Sequence, residues 1–255
     1  MYYCCGITEK GVMPHNEDAL LIGRHVMTAG MIEQRLEPPF IMAVSDGVSG
    51  ENSGEIASVM CLESVRQLEE LRKNQLHAGL MEIHEKLAEF SRNAPESRNM
   101  QTTLCGIAVD DDERVCAFNV GDSRLYRFRE GKLRQLSRDQ SLVQLLYEEG
   151  SITHEERKTH VHRNIIFPAF GNIKDTPKID IEEIEGGFEY GDVLLICSDG
   201  LSDYLSTLDI QEVMELPKSL TDRLEMLVKT ALEHGCGDNI SVAAALFIDK
   251  SLSTT

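Results

Sequence analysis

The chain has 255 residues, 42% hydrophobic and 27% charged, ordinary for a soluble globular protein and enough for one sizeable core. Its charge is not ordinary: 25 Lys plus Arg stand against 43 Asp plus Glu, a net of −18, which argues against nucleic acid or a membrane surface as a main partner, since binding there rests on basic patches. No apolar run approaches the ~20 residues that span a bilayer, "MYYCCGITEK" lacks the regions of a signal peptide, and seven cysteines without CxxC spacing suit a reducing, cytoplasmic compartment.

In chain order, "YYCCGIT", "DALLIG", "RHVMTAGMI" and "FIMAVSDG" are short runs rich in β-formers between turn signals, and predict strands of an antiparallel meander. Residues 53–92 then space their apolar side chains helically, predicting two consecutive helices with Ser53 as N-cap. Strands return at "QTTLCGIAVDD", "RVCAFNVGD" and "RLYRFREGKLRQLS", the last folded at a Glu130-Gly131 hairpin. "SLVQLLYEEG" predicts a short helix stopped by Gly150, and "THEE" a capping box at Thr153. Residues 157–173 are irregular and polar. "FEYGDVLLICSDG" is again a strand, "TDRLEMLVKTALEHG" an amphipathic helix closed by Gly235, and "NISVAAALFID" a buried strand. No repeat or Pro/Ser-rich linker divides the chain, so one α+β domain is expected over residues 1–255, with packed antiparallel sheets covered by helices.

Acids recur where these runs end. Asp46 follows "FIMAVS", Asp122 follows "CAFNVG", Asp199 follows "VLLICS", Asp238 precedes "NISVAAALF", and Glu17-Asp18 open "DALLIG". Any one Asp-Gly is a turn signal. Several acids brought to one edge of a sandwich would instead suit two hard cations sharing a carboxylate, because Mg²⁺ and Mn²⁺ prefer oxygen ligands.

In order and spacing, "NED", "VSDGVSGENSGEIAS", "TTL", "NVGDSRLYRFREGKLRQLSRDQSLV", "HRNIIFPAFG", "LLICSDGLSDYLS" and "GDNISV" resemble the metal-dependent Ser/Thr protein phosphatases, the PPM or type 2C family, in its compact bacterial form. The resemblance implies a four-layer sandwich of two antiparallel sheets flanked by pairs of antiparallel helices. It implies hydrolysis of phosphoserine and phosphothreonine in proteins by a binuclear Mn²⁺ or Mg²⁺ centre that activates a bridging water. Asp46 would bridge the two ions with help from the Gly47 carbonyl. Asp199 and Asp238 would complete the first ion's ligands, Glu17 and Asp18 would serve the second, and Asp122 would help hold a third. Residues of about 139–172 would form a flap, a mobile element beside the site. Implied partners are phosphoproteins and a cognate Ser/Thr kinase with its substrates, met by a monomer.

The chain departs from the family pattern at four places. The arginine that clamps the substrate phosphate is replaced by Met13, with His15 nearby, either an ordinary loop histidine or a weaker phosphate contact. A histidine two residues after the bridging acid, offered as general acid in many eukaryotic members, is Val48. The family's "GTT" reads "QTT" at Gln101, and its "DHS" reads "DQS" at Gln140. A pseudophosphatase that binds without turnover is the alternative, supported by Met13 and opposed by the complete set of acids, which are costly to cluster without cations. A calcium-stabilised β protein is a third reading, but no DxDxDG loop occurs.

Overall fold

The computed structural model describes residues 1–48, 53–97 and 99–248. Residues 49–52 of the "VSDGVSGENSG" motif lie outside the described residues. One antiparallel sheet consists, in spatial order, of β10 (Lys132–Gln135), β9 (Arg124–Arg129), β12 (Val193–Cys197), β13 (Ile240–Phe247), β1 (Tyr2–Glu9) and β4 (Gly30–Leu36). The other runs β11 (Asp180–Glu183), β8 (Val115–Val120), β7 (Leu104–Val109), β5 (Phe40–Val48), β2 (Asp18–Ile22) and β3 (His25–Met27), with the short β6 (Gln101–Thr102) added to the end of β5.

The two sheets pack face to face, and strand periodicity explains how. Alternate residues point to opposite faces, so Leu20 and Ile22, Met42 and Val44, Leu194 and Ile196, and Ala243 and Ala245 fill the space between the sheets. Their neighbours point outward. Ala19, Leu21, Ile41 and Ala43 meet α1 (Gly54–Val65) and α2 (Lys73–Asn93). On the other side, Cys5, Ile7, Leu195, Val242 and Ala244 meet α5 (Asp199–Ser202), α6 (Thr207–Glu215) and α7 (Leu220–Glu233). The central strands are therefore apolar on both faces, which is why they read as continuous runs rather than alternating ones. Each fully buried Leu or Ile contributes roughly 1.5–3 kcal/mol. The result is an α+β fold of helices, sheet, sheet and helices. No helix among the described residues is long and apolar enough to cross a membrane.

Most expected elements appear, with corrections. "RHVMTAGMI" is two strands: the chain turns at Gly30 (φ +86°), and β3 joins one sheet while β4 joins the other. The opening segment is thus not a simple meander, because β1 and β4 pair with each other across an excursion into the second sheet. "FEYGDVLLICSDG" is strand only from Val193 to Cys197, and Asp199 opens α5 instead of ending the strand. Ser53 stands at the N-cap of α1 without a capping bond from its side chain. Two elements had no expectation. Of β11 only Ile181 is buried, and α6 starts at a Ser206–Asp209 capping box. The box at Thr153–Glu156 opens α4 (His154–Thr159), and Ser141 caps α3 (Leu142–Glu148).

Candidate metal centre

Strand pairing brings the acids together at one end of the sandwich. β2 and β5 are neighbours in a register that sets Asp18 opposite Asp46. In the facing sheet, β12 pairs with β13, so that Ser198-Asp199 leaves one strand where Asp238-Asn239 enters the other. A direct bond joins the sheets here: Ser198 Oγ donates to Asp18 Oδ2 at 2.8 Å, while accepting from the Ser241 N–H at 3.0 Å. Asp122 arrives from the end of β8.

The backbone of Asp46 is held from both sides. Its N–H donates to Thr103 Oγ1 at 3.0 Å. Its carbonyl accepts from the Thr103 N–H at 2.8 Å and from Thr102 Oγ1 at 2.9 Å. Beside it, the Gly47 N–H donates to the Glu17 carbonyl at 3.1 Å. A Cβ on Gly47 would lie 2.2 Å from the Gly54 carbonyl oxygen, so the first turn of α1 can pass this close only because residue 47 is glycine. Gly200, after Asp199, obeys the same constraint: a Cβ there would stand 1.8 Å from the Asn239 carbonyl oxygen.

Asn239 organises the loop before β2. Its Nδ2 donates to the carbonyls of Lys10 (3.0 Å) and His15 (2.9 Å), and its Oδ1 accepts from the Glu17 N–H at 2.8 Å. That fixes Glu17 beside Asp238. The imidazole of His15 is exposed on this loop near Glu17, and Met13 stands on the same loop at 37% exposure.

The electrostatics are those of anions without cations. Burial, then repulsion from Asp18, Asp199, Asp122 and Asp238, holds the Asp46 carboxyl well above the usual range. Asp199 is raised by burial and then by Asp122, Asp203, Asp238 and Asp18. Burial also pushes Asp18 up to about 6, Asp122 to about 7, and Glu17 upward. Among the described residues no Lys or Arg ion-pairs with any of Glu17, Asp18, Asp46, Asp122, Asp199 or Asp238. Arg124, two residues after Asp122, is occupied: its Nε meets both oxygens of Asp139 at 3.1 and 3.0 Å, its Nη2 donates to Oδ2 at 2.7 Å, and its Nη1 donates to the Ser202 carbonyl at 3.3 Å.

Buried carboxylates without counter-charges are costly, and an all-oxygen donor set calls for hard divalent cations. The residues fit such ions. Among the described residues no three His, Cys, Asp or Glu side chains already meet at one ligating point. Beside Asp122 and Asp199 opens a cavity of about 280 Å³, walled also by Asp203, Arg157, Lys158 and Arg163.

Removal of divalent cations should leave a pH signature. Between the ordinary carboxylate pKa of about 4 and the raised values of about 6 and about 7, the folded chain keeps protons at Asp18 and Asp122 that the unfolded chain has released. Stability then falls as pH rises through that window and is lowest above it. In chelator, the melting temperature should climb as pH is lowered from about 8 to about 5.5; a profile that falls instead would contradict the crowding described.

Sequence reasoning did not single out Thr102, Thr103, Ser198, Asn239 or the Arg124–Asp139 pair. All lie inside the motifs "TTL", "SDG", "GDN" and "GDSR…SRDQS", but short polar residues beside acids give no sign of which backbone groups they hold.

The profile of the family Protein phosphatase 2C matches residues 29–236. The Serine/threonine phosphatase stp of Listeria monocytogenes serotype 4b is 29% identical over 259 residues, which is 96% of this chain and 95% of that protein. The structure of the Mycobacterium tuberculosis serine/threonine phosphatase PstP/Ppp superposes with a TM-score of 0.80 at 28% identity, covering 98% of this chain and all of the other. A structure of the PstP catalytic domain, in complex with two manganese ions, gives 0.77 at 28% identity and the same coverage. The chain therefore belongs to the protein phosphatase 2C family as a protein serine/threonine phosphatase.

Proposed function

We propose that the chain hydrolyses phosphoserine and phosphothreonine in proteins through a binuclear centre at this end of the sandwich. Asp46, helped by the Gly47 carbonyl, would be the ligand the two ions share, Asp199 and Asp238 would complete one ligand set, and Glu17 and Asp18 would serve the other. Asp122, with Asp199, would hold a third ion. When bound, the cations supply an activated water and neutralise the charge on the phosphoryl oxygens. The chain's own residues aim the carboxylates: Thr102 and Thr103 fix the Asp46 peptide, Ser198 orients Asp18, and Asn239 sets the Glu17 backbone. The observation that carries this reading is the set of six acids from both sheets with no basic partner among the described residues. Hydrolysis of p-nitrophenyl phosphate and of a phosphothreonine peptide, with Mn²⁺, with Mg²⁺ and with chelator, tests it. Absence of turnover with either ion would leave the pseudophosphatase reading.

We further place the flap at residues 139–172, comprising α3, α4 and the irregular stretch that returns to the sheet at Phe170. The partners are phosphoproteins and a cognate kinase, and the chain acts as a monomer. The seven cysteines, free and buried, suit the cytoplasm.

Met13 is the departure with a consequence for substrate. With a thioether where a guanidinium would clamp the phosphate, small phosphates should bind weakly. Met13→Arg should add a charge-assisted contact of roughly 1.5–3 kcal/mol. The position is open to water, so the low end applies: about a tenfold gain in kcat/KM, taken mostly in KM because the contact is made in ground and transition states alike. If instead Met13→Arg changes nothing while His15→Ala removes most activity, His15 already fills the gap.

A further inference from the structure

The two glutamines that depart from the family pattern both sit at the feet of the flap. Gln140 is almost fully buried, at 3% exposure. Its main chain donates to the Gly121 carbonyl at 2.9 Å, and its side-chain Oε1 accepts from the Gly121 N–H at 3.1 Å, a two-point grip on the residue preceding Asp122. Its Nε2 donates to the Lys178 carbonyl (3.0 Å), to Asp180 Oδ2 (2.8 Å) and to the Asn119 carbonyl (3.3 Å). Its own carbonyl accepts from the Phe167 N–H at 2.9 Å, drawing the outgoing limb of the flap back to the incoming one.

The other foot lands on β6. Phe170, fully buried, exchanges two main-chain bonds of 3.0 Å with Thr102, and Asn172 Nδ2 donates to Gln101 Oε1 at 2.9 Å. β6 is the same two-residue strand that pairs Thr102 with Gly47 and Gln101 with Val48, and whose Thr102 hydroxyl donates to the Asp46 carbonyl. A glycine at 101 would offer Asn172 no side-chain acceptor. A histidine at 140 has one donor and one acceptor when neutral, against the two donors and the acceptor that the amide uses here.

We propose that Gln140 and Gln101 are positioning residues that pin the two feet of the flap to the turns carrying Asp122 and Asp46, so that the flap is a fixed wall of the site and not a free lid. The kinetic half of this inference rests on the phosphatase reading; the structural half does not.

Amide hydrogen exchange of residues 142–166 tests the clamp without any turnover. Gln140→Ala should speed exchange there by about tenfold, the size expected for losing one to two net hydrogen bonds, while α2 and β13 exchange as before. Gln101→Ala, at a half-buried position, should loosen the outgoing limb less, and carries the test if Gln140→Ala does not fold. In kinetics, Gln140→Ala should raise KM for a phosphothreonine peptide severalfold, and more than for p-nitrophenyl phosphate, which has no peptide flanks, and be partly rescued by Gln140→His at alkaline pH. Unchanged flap exchange, or faster exchange spread over the whole chain with a lower melting temperature, would overturn the clamp. A fall in kcat at constant KM would overturn the role of the flap as a wall. Failure of the phosphatase reading would show separately, as an inactive wild type.

Discussion

Asp46→Asn and Asp199→Asn are each expected to remove divalent-dependent hydrolysis while leaving a folded chain. The amide is close in size to the carboxyl, and the three backbone bonds that hold residue 46 to Thr102 and Thr103 do not involve its side chain. What changes is charge. In the metal-free protein, each substitution relieves a carboxyl held far above its usual pKa by burial and by its acidic neighbours. Both variants should therefore melt at or above the wild-type temperature in chelator near neutral pH, a gain that a merely structural residue would not show. With metal the sign reverses, because an anionic ligand has been removed from the proposed first coordination sphere. Partners in the outer sphere typically cost about 10–100-fold, and loss of a shared ligand should exceed that. Wild-type turnover by either variant at limiting Mn²⁺ would show that the ligands have been misplaced.

Arg124→Ala should carry the largest penalty in stability. The Arg124 and Asp139 side chains are 17% and 7% exposed and share three close N–O contacts, and Arg124 also reaches the Ser202 carbonyl of α5. Removing one partner leaves a buried carboxylate whose remaining side-chain donor is Gln135 Nε2 at 2.8 Å. Breaking a buried pair in this way costs about 3–5 kcal/mol, or roughly 10 °C in melting temperature for a chain of this size. Replacing both partners with apolar residues should recover much of the loss, since desolvation of the pair offsets much of its attraction. Urea denaturation of the single and double variants measures both quantities. If Arg124 served the substrate phosphate instead, its loss would raise KM and leave the denaturation midpoint unmoved.

The acids were legible from the sequence because each stands where an apolar run begins or ends, in an order with a known counterpart. The doubly buried strands were legible because runs such as "VLLIC" and "SVAAALF" leave no polar face. The helices at 54–65, 73–93 and 220–233 were legible from their spacing. Three-dimensional structure alone decided the rest. Periodicity says which face of a segment is buried but not which sheet it joins, so nothing local separates β3 from β4 except Gly30. Only the folded chain shows that residue 47 must be glycine for the Gly54 carbonyl to pass where a Cβ would stand. The bond from Ser198 to Asp18 spans 180 positions, and that from Asn239 to the Glu17 backbone spans 222. What Gln101 and Gln140 hold is visible only once the sheets set their amides against Asn172 and Gly121. Hydrophobic pattern and turn chemistry act over a few residues and are written locally. Hydrogen-bond partners are chosen by whichever donor and acceptor the packed strands bring within about 3 Å, and that choice is made only when the two sheets close on each other.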